Sequence, residues 1–128
     1  MVPNFSARFT YSLQCRLMPY LGEFEQLVLL AILQCADTDT GAYTVPIGRL
    51  IAQKTGRDVA RGALHTSLDR LATKGLVSST LGEPLAIRGG RSRRYFTVTK
   101  PGVAALRESR AALTKLSSGL EGLLDRKR

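Results

Sequence analysis

Apolar positions recur along this chain in three distinct rhythms. Over residues 21–36, Phe24, Leu27, Val28, Ala31 and Ile32 form one helical stripe, and Leu29, Leu30 and Leu33 fill its flanks. A helix that apolar on most sides must be covered on most sides, so it belongs to the core or to a subunit interface. After the polar loop 37–41, Ile47, Leu50 and Ile51 give the inward face of a second helix, Thr44–Thr55. Pro46 sits in its first turn and Gly56 ends it. Leu64, Leu68 and Leu71 predict a third helix over about 59–74, stopped by Gly75. The rhythm then changes. The short runs 76–81 and 94–99 read as strands; in the second, Tyr95, Phe96 and Val98 stand against Arg94, Thr97 and Thr99. A last helix is expected over 101–124. Leu106, Leu113 and Leu120 recur there every seven residues, with Leu116 and Leu123 three after the second and third. Ser109 takes the matching place after Leu106, so the a/d seam has one weak position.

These elements predict a mainly α chain with a small two-stranded β-hairpin. Helix two, the turn at Gly56-Arg57-Asp58 and helix three have the layout of a helix-turn-helix. The basic hairpin that follows is the wing, giving a winged helix-turn-helix with a C-terminal dimerisation helix. Residues 1–20 are an N-terminal arm or extension, 21–100 the winged domain, and 101–128 the dimerisation helix and basic tail. The arm carries Phe5, Phe9, Leu13 and Leu17 at a spacing of four, with Arg8, Arg16 and no acid. Two readings of it stay open: an arm that packs on the domain, or an extension before a natural start at Met18.

Charge changes the picture. The 128-residue chain carries a net +9. Residues 57–100 hold nine Lys and Arg against Asp58, Asp69 and Glu83, a net of +6. Residues 21–56 hold Arg49 and Lys54 against Glu23, Glu25, Asp37 and Asp39, a net of −2. A polyanion is therefore favoured at the helix–hairpin half, because neutralising phosphates releases counterions.

On helix three, at 100° per residue, Gly62, Thr66, Asp69, Arg70 and Thr73 fall opposite the leucines. Thr66 and Arg70 suit base edges, and Gly62 lets backbone approach a phosphate. Arg57 and Arg61 suit phosphate clamping beside the positive end of the helix dipole. Asp69 would be repelled by DNA and is expected to pair with Arg61, Arg70 or a wing arginine. The loop arginines Arg88, Arg91, Arg93 and Arg94 can follow the adjacent backbone or enter a minor groove. With Tyr43 and Lys74, these make up the expected DNA-binding set. Leu106, Leu113, Leu116, Leu120 and Leu123 make up the dimerisation set.

The wording of the helix–hairpin stretch resembles the PadR-type transcriptional regulators. The matching residues are Gly62-Ala63-Leu64-x-Thr66-x-Leu68-Asp69-Arg70-Leu71, Lys74-Gly75-Leu76-Val77, Gly82-Glu83-Pro84 and Arg88-Gly89-Gly90-Arg91-x-x-Arg94-Tyr95-Phe96-x-Val98-Thr99. Leu21-Gly22-Glu23-Phe24-Glu25-Gln26 and Val45-Pro46-Ile47 match as well, so the resemblance runs from about Leu21 to Leu106. His65 departs from it, at a place where the family usually has tyrosine. The resemblance implies a bacterial, dimeric repressor acting on a pseudo-palindromic double-stranded operator, with a small-molecule effector of unknown identity. The chain has no tryptophan, and the aromatic-drug binding of some relatives is not carried over.

Other classes find little support. One histidine has no second metal ligand at helical spacing, and no CxxC, HExxH or phosphate-cradling glycine loop occurs. No metal, no cofactor and no catalytic activity is expected. The longest apolar run, 27–33, is too short to span a membrane, and Cys15 and Cys35 lie outside any redox spacing. A cytoplasmic location follows. The competing reading is a winged-helix adaptor for an acidic protein partner.

Overall fold

A computed structural model describes residues 21–84 and 92–125. The arm before Leu21, Cys15, Arg88, Arg91 and the tail from Arg126 lie outside the described residues. In chain order the elements are α1 (Glu23–Cys35), α2 (Thr44–Thr55), α3 (Arg61–Thr73), β1 (Val77–Pro84), β2 (Ser92–Val98), α4 (Lys100–Ser117) and the single turn α5 (Glu121–Leu124).

The three leading helices share one core. Val28, Leu29 and Ile32 of α1 meet Ile47 of α2, and Leu64, Leu68 and Leu71 of α3, with Leu76 closing the base. All are at most 2 % exposed, so each contributes about 1.5–3 kcal/mol of burial relative to solvent exposure. α3 ends in a Schellman turn: Leu76 N–H donates to Leu71 O at 2.9 Å and Gly75 N–H to Ala72 O at 3.0 Å. Reversal there sends the chain directly into β1.

β1 and β2 pair antiparallel, with Val77 opposite Val98 and Leu81 opposite Arg94. The strands run further than the 76–81 and 94–99 alternation suggests. An irregularity after Leu81 takes up the extra residues, and pairing resumes at Pro84 and Ser92. Phe96, the buried member of β2, also donates its N–H to Ala42 O at 2.8 Å. That bond fixes the base of the hairpin to the loop before α2.

Thr99 joins three elements. Its N–H donates to Leu76 O at 3.0 Å and its hydroxyl to Gly75 O at 2.7 Å. The same hydroxyl accepts from Gly102 N–H at 3.1 Å, capping α4. A side chain at Gly102 would place Cβ 2.1 Å from Leu76 O, so the first turn of α4 seats on the end of α3 only with glycine there.

The C-terminal helix corrects the sequence expectation. It does not run unbroken to 124. α4 stops at Ser117, Gly119 adopts φ +90°, and only one further turn forms. Leu120 and Leu123 therefore do not continue the seven-residue register of Leu113 and Leu116. Leu106 is also out of line with them: it is 5 % exposed and lies in the chain's own core. Ser109 is no weak seam position but a buried acceptor, taking the Leu21 N–H at 3.0 Å. The remaining leucines are bare, Leu113 at 60 %, Leu116 at 82 %, Leu120 at 46 % and Leu123 at 63 %.

Candidate nucleic-acid interface

The helical-wheel reading of α3 is reproduced. Leu64, Ser67, Leu68 and Leu71 are buried, while Gly62, Thr66, Asp69, Arg70 and Thr73 are exposed. The exposed half has two flanks. On one, Arg61 and His65 line a recess of about 310 Å³ with Arg93 and Arg94 of β2 and with Tyr43, Thr44 and Val45 at the start of α2. On the other, Gly62, Thr66, Arg70 and Lys74 line a hollow of about 700 Å³ with the start of α1, including Glu23 and Glu25.

Ion pairs sort the expected cations. Arg57 Nη1 lies 3.1 Å from Glu23 Oε1, a pair with both side chains well exposed. Lys74 Nζ lies 3.0 Å from Glu25 Oε2, and this pair is mostly buried. Glu25 also accepts from Gly22 N–H at 3.3 Å, so one carboxylate holds both the start of α1 and the end of α3. Lys74 thus has a structural role that the sequence did not reveal. With both acids engaged, the guanidinium of Arg70 faces outward with no ion-pair partner among the described residues. Arg61 and Arg94 are in the same state.

Asp69 does not behave as expected. It is exposed and pairs with neither Arg61, Arg70, Arg93 nor Arg94. It lines a shallow hollow with Thr66, Arg70, Thr73 and Lys74 without an ion pair to any of them.

Tyr43 organises the recess. Its ring meets Tyr95 edge-on, with centroids 5.6 Å apart at 73°. The Arg93 guanidinium carbon sits 4.3 Å from the Tyr43 centroid. A guanidinium over an aromatic face is held by about 0.5–1 kcal/mol at an exposed site. Tyr95 itself is wedged between backbones: a Cβ at Gly82 would lie 2.7 Å from its ring, and one at Gly41 would lie 2.9 Å away. Wing and helix-turn-helix are therefore locked together by an aromatic contact next to the arginines.

The first turn of α2 has no side-chain cap. Thr44 and Val45, in that first turn, line the recess at the positive end of the helix dipole. Two arginines, a histidine, a stacked arginine and an uncapped turn converge from three elements. Such a surface attracts anions. Among the described residues no group of three His, Cys, Asp or Glu could hold a metal, and no helix is long and apolar enough to cross a membrane. Cys35 is a buried free thiol.

No family model matches the chain, and no curated protein matches it. Solved structures do. A PadR family transcriptional regulator from Eggerthella lenta is 22 % identical, with a TM-score of 0.59 over 98 % of this chain and 96 % of that one. A PadR-like transcriptional regulator from Bacillus cereus is 22 % identical, with a TM-score of 0.60 over 81 % of this chain and 93 % of that one. A PadR family transcription regulator from Clostridium difficile is 17 % identical, with a TM-score of 0.59 over 79 % and 98 %. The chain thus has the PadR-like winged-helix fold that its helix–hairpin wording suggests.

Proposed function

We propose that this protein is a sequence-specific DNA-binding transcriptional regulator. It acts as a cytoplasmic homodimeric repressor on a pseudo-palindromic operator near its own gene. The observation that carries the reading is the set of outward cations on one face: Arg61 and Arg70 of α3, with Arg93 and Arg94 of β2. Arg57 and Lys74 are paired with acids instead, and the mostly buried Lys74–Glu25 pair joins α1 to the end of α3. The similar solved structures are described as transcriptional regulators, which supports the same class.

In this reading α3 enters a major groove and the wing lies along the adjacent backbone. Thr66 and Arg70 face base edges, Gly62 allows close approach, and Arg61 and Arg94 clamp phosphates. A second copy covers the bare leucines of α4 and α5 and the groove of about 610 Å³ between α1 and α4, where Leu33 is exposed and Leu30 and Val103 are half-buried. Contiguous exposed apolar surface of this kind marks an association site. Two α3 helices then meet half-sites about 34 Å apart, or a small multiple of that.

The test is footprinting of the full-length protein on DNA flanking its gene, with scrambled duplex as competitor. A protected inverted repeat that survives the competitor is expected. Failure to bind either duplex at moderate salt would transfer the cationic face to an acidic protein partner.

A further inference from the structure

We infer that His65 is a phosphate-contacting residue through which DNA binding takes up a proton. The inference rests on the DNA-binding reading and adds a chemical dependence to it. His65 is the single histidine of the chain. It lies exposed on α3, one turn after Arg61, and lines the same recess as Arg93, Arg94 and Tyr43. Its position is part of the anion-attracting surface rather than a detached edge of the helix.

The charged and titratable groups around it come from every neighbouring element. Arg61 stands one turn before it on α3 and Asp69 one turn after. Arg93 and Arg94 of β2 and Tyr43 at the start of α2 line the same recess. Of α2 itself only Thr44 and Val45 line the recess, and they bring no side-chain charge. The anion expected there is a phosphodiester. An oxygen of that group beside the imidazole favours its protonated form, which donates from both ring nitrogens. The proton comes from the buffer and stays on the imidazole while DNA is bound. Histidine is the side chain whose ordinary titration falls between pH 5 and 8, which sets the range to be scanned.

The full-length protein, titrated with a labelled random-sequence duplex by fluorescence anisotropy, tests this at constant ionic strength between pH 6 and 8. A random duplex suffices because the contact is to backbone. Wild-type affinity should rise as pH falls, by at most about tenfold per pH unit for each protonated His65. His65→Gln should flatten the profile near the weak, alkaline value. His65→Arg should flatten it near the tight, acidic value. The position is exposed, so both variants should keep the wild-type melting temperature. A His65→Gln protein that keeps the wild-type slope overturns the inference, because the proton then binds elsewhere, such as at the α-amino group. A flat wild-type profile with measurable binding overturns the inference and leaves the DNA reading standing. Absence of binding at every pH overturns both.

Discussion

The Arg93 guanidinium rests on the face of Tyr43, its central carbon 4.3 Å from the ring centroid. The pair sits where the wing meets the helix-turn-helix, so Tyr43 aims a cation it does not itself carry. Arg93→Ala should weaken binding to operator and random duplex alike, and lower the slope of log affinity against log salt by roughly one unit. Tyr43→Ala should mimic part of that loss, and Tyr43→Phe should not. In a double-mutant cycle the two changes should fall short of additive by about 0.5–1 kcal/mol. Full additivity would give Tyr43 an independent contact.

Arg70 and Arg61 separate reading from clamping. Arg70 is free to face bases because Glu23 and Glu25 already hold Arg57 and Lys74. Arg70→Ala should cost about 1–3 kcal/mol on the operator and much less on random DNA. Arg61→Ala should weaken both. Paired competition titrations decide, and an intact specificity ratio in Arg70→Ala would reverse the assignment.

Much of this arrangement was legible in the sequence, and the reasons are physical. α2 matches the sequence expectation at both ends because Pro46 and Gly56 bracket it. The leucine face of α3 was plain because one stripe alone is apolar. Gly119 and Gly122 weaken the far end of the last helix, but leucines that keep a seven-residue spacing through Gly119 masked the full break. The φ of +90° at Gly119 is a backbone choice that spacing does not encode. The pairing of Lys74 with Glu25 was hidden because 49 residues separate them, and charge patterns read only near neighbours. Asp69 was assigned a partner on charge alone, and among the described residues it pairs with none of the arginines.

Leu116→Glu tests association without touching the core, since that side chain is 82 % exposed. Wild-type protein should scatter light as a dimer at micromolar concentration. The variant should give a monomer mass with unchanged far-ultraviolet circular dichroism, because a carboxylate cannot be buried cheaply against leucines. A wild-type monomer would remove the dimer, and the paired half-sites with it.

Burial pushes the Cys35 thiol above its ordinary value of 9.0. The unfolded chain then loses that proton more readily than the folded one. The associated stability is complete below pH 9.0 and is lost as pH rises through the folded value. Cys35→Ala should lower the melting temperature at neutral pH, through lost packing, and flatten the decline seen in alkaline buffer. Thiol reagents should modify Cys35 slowly until the protein unfolds.

Thr99 gives the molecule its stiffness. One residue bonds the end of α3 through Gly75 and Leu76, and the first turn of α4 through Gly102. The long helix is consequently an axle welded to the blade rather than hinged to it. A torque on the exposed end of α4 acts first on those three bonds. The orientation of Leu113 and Leu116 is therefore tied to the end of α3, from which the wing departs.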